Sequence, residues 1–138
     1  MGLVDLAGLK VMVIDDSNTI RRSAEMFLNP LGCEVILAQD GFDALSKIVD
    51  YHPHVIFVDI MMPRLDGYQT CSLIKRNPRY QSIPVLMLSS KDGLFDRARG
   101  RMAGSDQYIT KPFNQDILVE AICLHVLHHS AAQQKMLA

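Results

Sequence analysis

Cysteine is scarce in this chain. Cys33, Cys71 and Cys123 are the three among 138 residues. Their number is odd and their spacing matches no zinc or redox motif. Reduced, mostly buried thiols are the expectation. Net charge is also small, at -1, so nothing draws the whole molecule toward nucleic acid or an anionic membrane, although local patches stay open. The segment from Met1 to Leu9 lacks a basic stretch followed by a long apolar one, so no signal peptide is expected. No apolar run approaches the ~20 residues that span a bilayer. A cytoplasmic protein with no membrane insertion and no nucleic-acid partner is expected.

What is present suits one packed domain. The chain is 49% apolar, and a domain of this length buries roughly two-thirds of its unfolded surface. A second domain would not fit. Apolar runs recur along it, at Val11-Met12-Val13-Ile14, Val35-Ile36-Leu37, Val55-Ile56-Phe57-Val58, Val85-Leu86-Met87-Leu88 and, briefly, Tyr108-Ile109-Thr110. The first, third and fourth are continuously apolar, the pattern of strands covered on both faces in a parallel sheet.

The connectors read as helices. Ser17 and Thr19 offer capping hydroxyls before Ile20 to Leu28. Asp40-Gly41 precedes Phe42 to Val49, and Pro63 precedes Leu65 to Lys75. Leu94, Phe95, Ala98 and Met102 form one stripe; Ile117, Leu118, Ala121, Ile122 and His125 form another. Gly32, Gly67, Gly93 and Gly104 fall at helix ends or turns. Asn29-Pro30 is expected to kink or stop the first helix, because proline lacks an N–H and disfavours helix at the residue before it. Five βα units predict a doubly wound α/β fold with a five-stranded parallel sheet. The boundaries expected are an N-terminal extension at 1–9, the domain at 10–127 and a small polar tail at 128–138.

The polar residues that interrupt this pattern stand at the carboxyl ends of the runs: Asp15-Asp16, Asp59, Ser89-Ser90 and Lys111-Pro112. Open α/β sheets bind ligands at those ends, where the strand order reverses. With order 2-1-3-4-5, Asp15, Asp16 and Asp59 converge, flanked by Ser89 and Lys111. Three such carboxylates repel one another, and a divalent cation relieves the repulsion. Oxygen-only ligands in an incomplete cage favour magnesium over zinc. Magnesium also accepts phosphate oxygens, so the site suits a phosphoryl group, which a carboxylate can take up as an acyl phosphate. Lys111 can neutralise one phosphoryl oxygen, and the Ser89 hydroxyl can donate to another.

The ordered set Val13-Ile14-Asp15-Asp16, Val58-Asp59-Ile60-Met61-Met62-Pro63-Arg64-Leu65-Asp66-Gly67, Ser89-Ser90 and Lys111-Pro112-Phe113 resembles the receiver domain of two-component response regulators, over about Lys10 to Val126. The resemblance implies a flavodoxin-like fold and a phosphoacceptor that assists its own phosphorylation and dephosphorylation. Asp59 would receive the phosphoryl group from a histidine kinase or phosphotransfer domain. Mg2+ would be held by Asp15, Asp16, Asp59 and the backbone carbonyl of Met61. Ser89 and Lys111 would bind the phosphoryl group, Ser89 and Tyr108 would act as the switch, and Lys111-Pro112 would be cis. Met61 and Lys91 would tune how fast the group is lost. The stretches Met61–Cys71 and Ser89–Asp96 are similar to the single-domain regulators of type IV pilus twitching motility, which implies a chemotaxis-like signalling pathway.

Plainer readings compete at several positions. Asp15-Asp16 could cap a helix, Asp66-Gly67 reads as a turn or cap, and Ser90 as a cap. Tyr108 could be an ordinary half-buried sheet residue. His52, His54, His125, His128 and His129 read as structural or solvent-facing. Arg97, Arg99 and Arg101 read as a solvated face. Cys123, Leu124 and Leu127 form a second apolar strip on the last helix. With Arg97, Arg101 and Tyr108 it makes a candidate partner surface, unless the tail packs there. A phosphatase with an aspartate nucleophile would need a second aspartate two residues on; Met61 stands there. A degenerate receiver that binds partners without phosphorylation is the remaining alternative. As a receiver without an effector, the chain would signal through altered protein contacts, as a monomer or weak dimer.

Overall fold

The computed structural model describes residues 6–90 and 93–127. Lys91 and the residues from His128 onward, with the expectations placed on them, lie outside that set. Five strands, β1 (Lys10–Ile14), β2 (Glu34–Ala38), β3 (Val55–Asp59), β4 (Val85–Ser89) and β5 (Gln107–Thr110), alternate with helices. These are α1 (Asn18–Leu28), α2 (Gly41–Tyr51), α3 (Gly67–Arg76), α4 (Leu94–Met102) and α5 (Gln115–Ile122). All strand pairs are parallel, in the order β2-β1-β3-β4-β5, as expected.

The continuous apolar runs are explained by two core layers. Met12, Ile14, Ile56 and Val58 face one layer with Ala44 and Ile48 of α2 and Cys71 and Ile74 of α3. Val11, Val13, Val55 and Phe57 face the other with Ala24 and Leu28 of α1 and Leu118 and Ile122 of α5. Every residue of β3 and β4 is buried. Each fully buried large side chain contributes about 1.5–3 kcal/mol, so the central strands are the stiffest platform for residues at their ends. Residues 6–9, read as extension, also pack on the domain: Leu6 is buried, and Gly8 N–H donates to Gly32 carbonyl oxygen at 2.9 Å.

Caps set the helix starts. Ser17, Asp40, Asp66 and Asn114 accept backbone N–H bonds from Ile20, Asp43, Gln69 and Ile117. Asp66 and Gln69 form a reciprocal capping box, so α3 begins at Gly67 and Leu65 stays in the loop. α1 stops before Pro30, which sits in a short 3-10 turn over Asn29–Leu31. One local reading is corrected. Ser90 does not cap α4; Gly93 precedes it with no side-chain cap. The α4 stripe does not face the core: Leu94 and Phe95 are each 82% exposed and Met102 88%. The buried residue of α4 is Gly100, where a Cβ would stand 3.2 Å from Met87 Sδ and Tyr108 Cδ2. Close approach at the glycine turns the large apolar side chains outward.

Candidate functional site

β1 and β3 are neighbours, and their chains leave the sheet in opposite directions around the order. That brings Asp15, just past β1, beside Asp59, the last residue of β3. Ligand oxygens of Asp15, Asp16 and Asp59 lie within 4.8 Å of one another. Asp15 and Asp59 are buried, whereas Asp16 is exposed. Lys111, just past β5, reaches back across the sheet end: its Nζ donates to Asp15 Oδ2 at 2.9 Å and to Asp59 Oδ1 at 3.1 Å. Asp15 Oδ1 also accepts from Ser17 N–H at 2.9 Å. Ser89 is buried at the end of β4, and its carbonyl accepts from Lys111 N–H at 2.7 Å. The Lys111–Pro112 bond is cis, as expected.

The electrostatics follow from burial and sign. Burial raises the Asp59 pKa, the Asp15 charge raises it further, and Lys111 with the Met61 N–H oppose. For Lys111, burial pulls the ammonium down, but the hydrogen bonds and charges of Asp15 and Asp59 outweigh it and the pKa is raised. Among the described residues, Asp15, Asp59 and Lys111 form the pocket, with Asp16 at its mouth. Its donors are oxygens at mutual distances that one hard divalent cation bridges, so the residues fit magnesium.

The loop after Asp59 closes tightly. Ile60 N–H bonds Leu88 carbonyl oxygen at 3.2 Å, and Gly67 N–H bonds Ile60 carbonyl oxygen at 3.1 Å. A Cβ at Gly67 would collide with the Asp59 carbonyl and stand 2.6 Å from Ile60 Cα. Glycine there lets α3 sit directly on the strand end. Met61, between them, exposes its side chain while its backbone N–H lowers the Asp59 pKa.

Tyr108 is half-buried on β5, with Arg97 over its ring at 5.2 Å. It adjoins Tyr68 of α3 and raises the pKa of that residue's hydroxyl; Tyr68 is a residue that sequence reasoning missed. Tyr68 also donates to Asp96 carbonyl oxygen at 3.2 Å, and Arg99 covers its ring at 4.4 Å. Burial and Tyr108 push the Tyr68 hydroxyl up to about 12. An aromatic residue directly after the Asp66-Gly67 cap was the one sequence signal for it. Arg97, Arg101 and Tyr108 share a cleft with Leu94. Cys123 is half-buried and Leu124 exposed on a π-helical turn, Cys123–Leu127, and neither lines that cleft. The Leu127 side chain lies outside the described set. His125 bonds Gln107 at 2.6 Å, a structural role as expected.

Comparison with known proteins gives a consistent result. Residues 11–123 match the model of the response regulator receiver domain. The chain is 70% identical over 119 residues to Protein PilG of Pseudomonas aeruginosa, covering 86% of this chain and 88% of that protein. It is 37% identical over 105 residues to Response regulator MprA of a Mycobacterium species, covering 76% of this chain and 45% of that longer protein. Among solved structures, Vibrio cholerae chemotaxis protein CheY4 superposes with a TM-score of 0.83 at 30% identity, covering 87% of this chain and all of that one. The BeF3-activated DrrB receiver domain superposes at 0.73 with 31% identity, covering 83% and 94%.

Proposed function

The chain belongs to the response regulator receiver family, and on that premise we propose that Asp59 is its phosphoacceptor and that phosphorylation controls which proteins it binds. The observation that carries this reading is the placement of Asp59 among two further carboxylates within 4.8 Å and the Lys111 ammonium at 3.1 Å. A carboxylate held this way is a nucleophile with its product charge already compensated.

An Asp59 carboxylate oxygen forms a bond to phosphorus as the phosphorus–nitrogen bond to a kinase histidine breaks. The electron pair leaves on the imidazole nitrogen, which takes up a proton. Lys111 exchanges a carboxylate partner for a phosphoryl oxygen, and the Ser89 hydroxyl donates to another. Asp15, Asp16, Asp59 and the Met61 carbonyl are the groups for Mg2+, which when bound neutralises charge on the phosphoryl oxygens. Tyr108 carries the change to the face formed by α4, β5 and α5, with Arg97, Arg101, Cys123, Leu124 and Leu127 as candidate contacts. The 70% identity to PilG and the resemblance to regulators of type IV pilus twitching motility support an output in that pathway, in the cytoplasm.

Intact mass after incubation with acetyl phosphate tests the chemistry. The expected result is a gain of one phosphoryl group that requires magnesium and is absent from Asp59→Ala. No gain, from acetyl phosphate or from a histidine kinase that modifies another receiver, would leave the degenerate receiver as the better reading.

A further inference from the structure

The exposed apolar residues of α4 divide into two stripes. Leu94, Arg97 and Arg101 line the cleft toward β5. Phe95, Arg99 and Met102, spaced i, i+4, i+7, share the opposite side of the helix, and Arg99 and Met102 line a separate groove of about 500 Å³ against α3. Across that groove α3 presents Gln69, Leu73 and Arg76 at the same spacing. Tyr68 and Ala103 also line it, and Cys71 Sγ bonds Ala103 carbonyl oxygen at 3.4 Å, tying the two helices together at its base.

The groove is apolar and cationic. Leu73 is 44% exposed and Met102 88%. Among the described residues its lining holds Arg76 and Arg99 and no carboxylate, and α3 carries no acidic residue over its whole length. Arg99 reaches Asp66 only at 4.0 Å. Two helices with matched apolar and basic rows form the kind of groove into which a third, amphipathic helix lays its apolar face. Charge complementarity selects the occupant. The chain's own residues 128–138 contain no aspartate or glutamate and do not match it.

We propose that the α3–α4 groove docks an acidic amphipathic helix of a partner protein, with apolar residues at i, i+4 and i+7 flanked by carboxylates. This surface is distinct from the α4–β5–α5 face. Arg99 joins it to the site, because the guanidinium that would pair with the partner's carboxylate also covers Tyr68, which adjoins Tyr108.

The test is an NMR titration of the full-length, isotope-labelled protein with a synthetic amphipathic helical peptide carrying leucines at that spacing and glutamates around them. A second peptide replaces every glutamate with lysine. The expected result is saturable shifts at Leu73, Arg76, Arg99 and Met102 below about 1 mM, with the lysine peptide at least about tenfold weaker. The double charge reversal Arg76→Glu/Arg99→Glu should invert that preference, with an unchanged far-UV spectrum showing that the variant folds. No saturable shift, equal binding of both peptides, or shifts confined to Leu94, Arg97 and Tyr108 would overturn the proposal. Dilution-dependent shifts of the same amides without peptide would assign the groove to a second copy and would also overturn it.

Discussion

Removing the Lys111 ammonium from the acidic pocket gives a sharp test of its electrostatics. Lys111→Met keeps an unbranched side chain, one atom shorter, and deletes its charge. Nζ stands 2.9 Å from Asp15 Oδ2 and 3.1 Å from Asp59 Oδ1. At an effective dielectric near 20, each contact is worth about 5–6 kcal/mol of Coulomb energy. Desolvating the ammonium takes back several kcal/mol. The Asp15–Asp59 repulsion, at least about 3 kcal/mol at the observed separation, is left uncompensated in the variant. Breaking a buried pair in this way costs about 3 kcal/mol, or about 10 °C in Tm for a domain of this size.

The assay is urea and thermal unfolding in EDTA and in excess magnesium. The variant should be less stable in EDTA and should gain more than the wild type from magnesium, because its pocket is more negative. The pH profile has a definite sign. The folded Lys111 pKa is raised, so its contribution is complete below the ordinary lysine value of about 10.4 and is lost as pH rises through the raised value. The gap between the two proteins should hold from neutral pH to about 10 and close above it. Equal midpoints in EDTA, or equal magnesium gains, would refute the reasoning.

Three further outcomes are expected. Asp59→Asn should stabilise the protein at pH 7 in EDTA, measured by urea unfolding. The raised folded pKa of Asp59 means that its favourable contribution is present below the ordinary carboxylate value of about 4 and is lost as pH rises through the raised value, so the gap should close on acidification; a less stable variant at pH 7 would contradict this. Gly67→Ala forces a methyl against Asp59 and Ile60 backbone and should cost about 1–3 kcal/mol while weakening magnesium binding by isothermal titration; an unchanged midpoint would show that the loop yields freely. Tyr68→Phe should cost about 1 kcal/mol and remove from an ultraviolet titration the tyrosine that ionises at about 12; retention of that late transition would assign it to another residue.

The sheet and the acidic pocket were legible because both rest on one-dimensional patterns. Continuous apolar runs such as Val55–Val58, short and separated by helical connectors, fit strands covered twice, and Asp59 stands out as the polar residue that ends one of them. Asp15 and Lys111 were legible for the same reason, although 96 residues separate them. The Asp66 cap was also local and therefore readable.

What only the tertiary structure decided depends on which face a helix turns inward. α4 carries an apolar stripe by spacing, yet Gly100 meets Met87 and Tyr108 and leaves Leu94, Phe95 and Met102 outside. Helical period identifies a face but not its partner, and a glycine that permits close approach can outweigh three larger apolar residues. The proximity of Tyr68 to Tyr108 and the α3–α4 groove are not set by any local pattern, since each joins elements that meet only in the folded chain. The sequence by itself determined the chemistry at the strand ends; packing decided how that chemistry is connected to the surface.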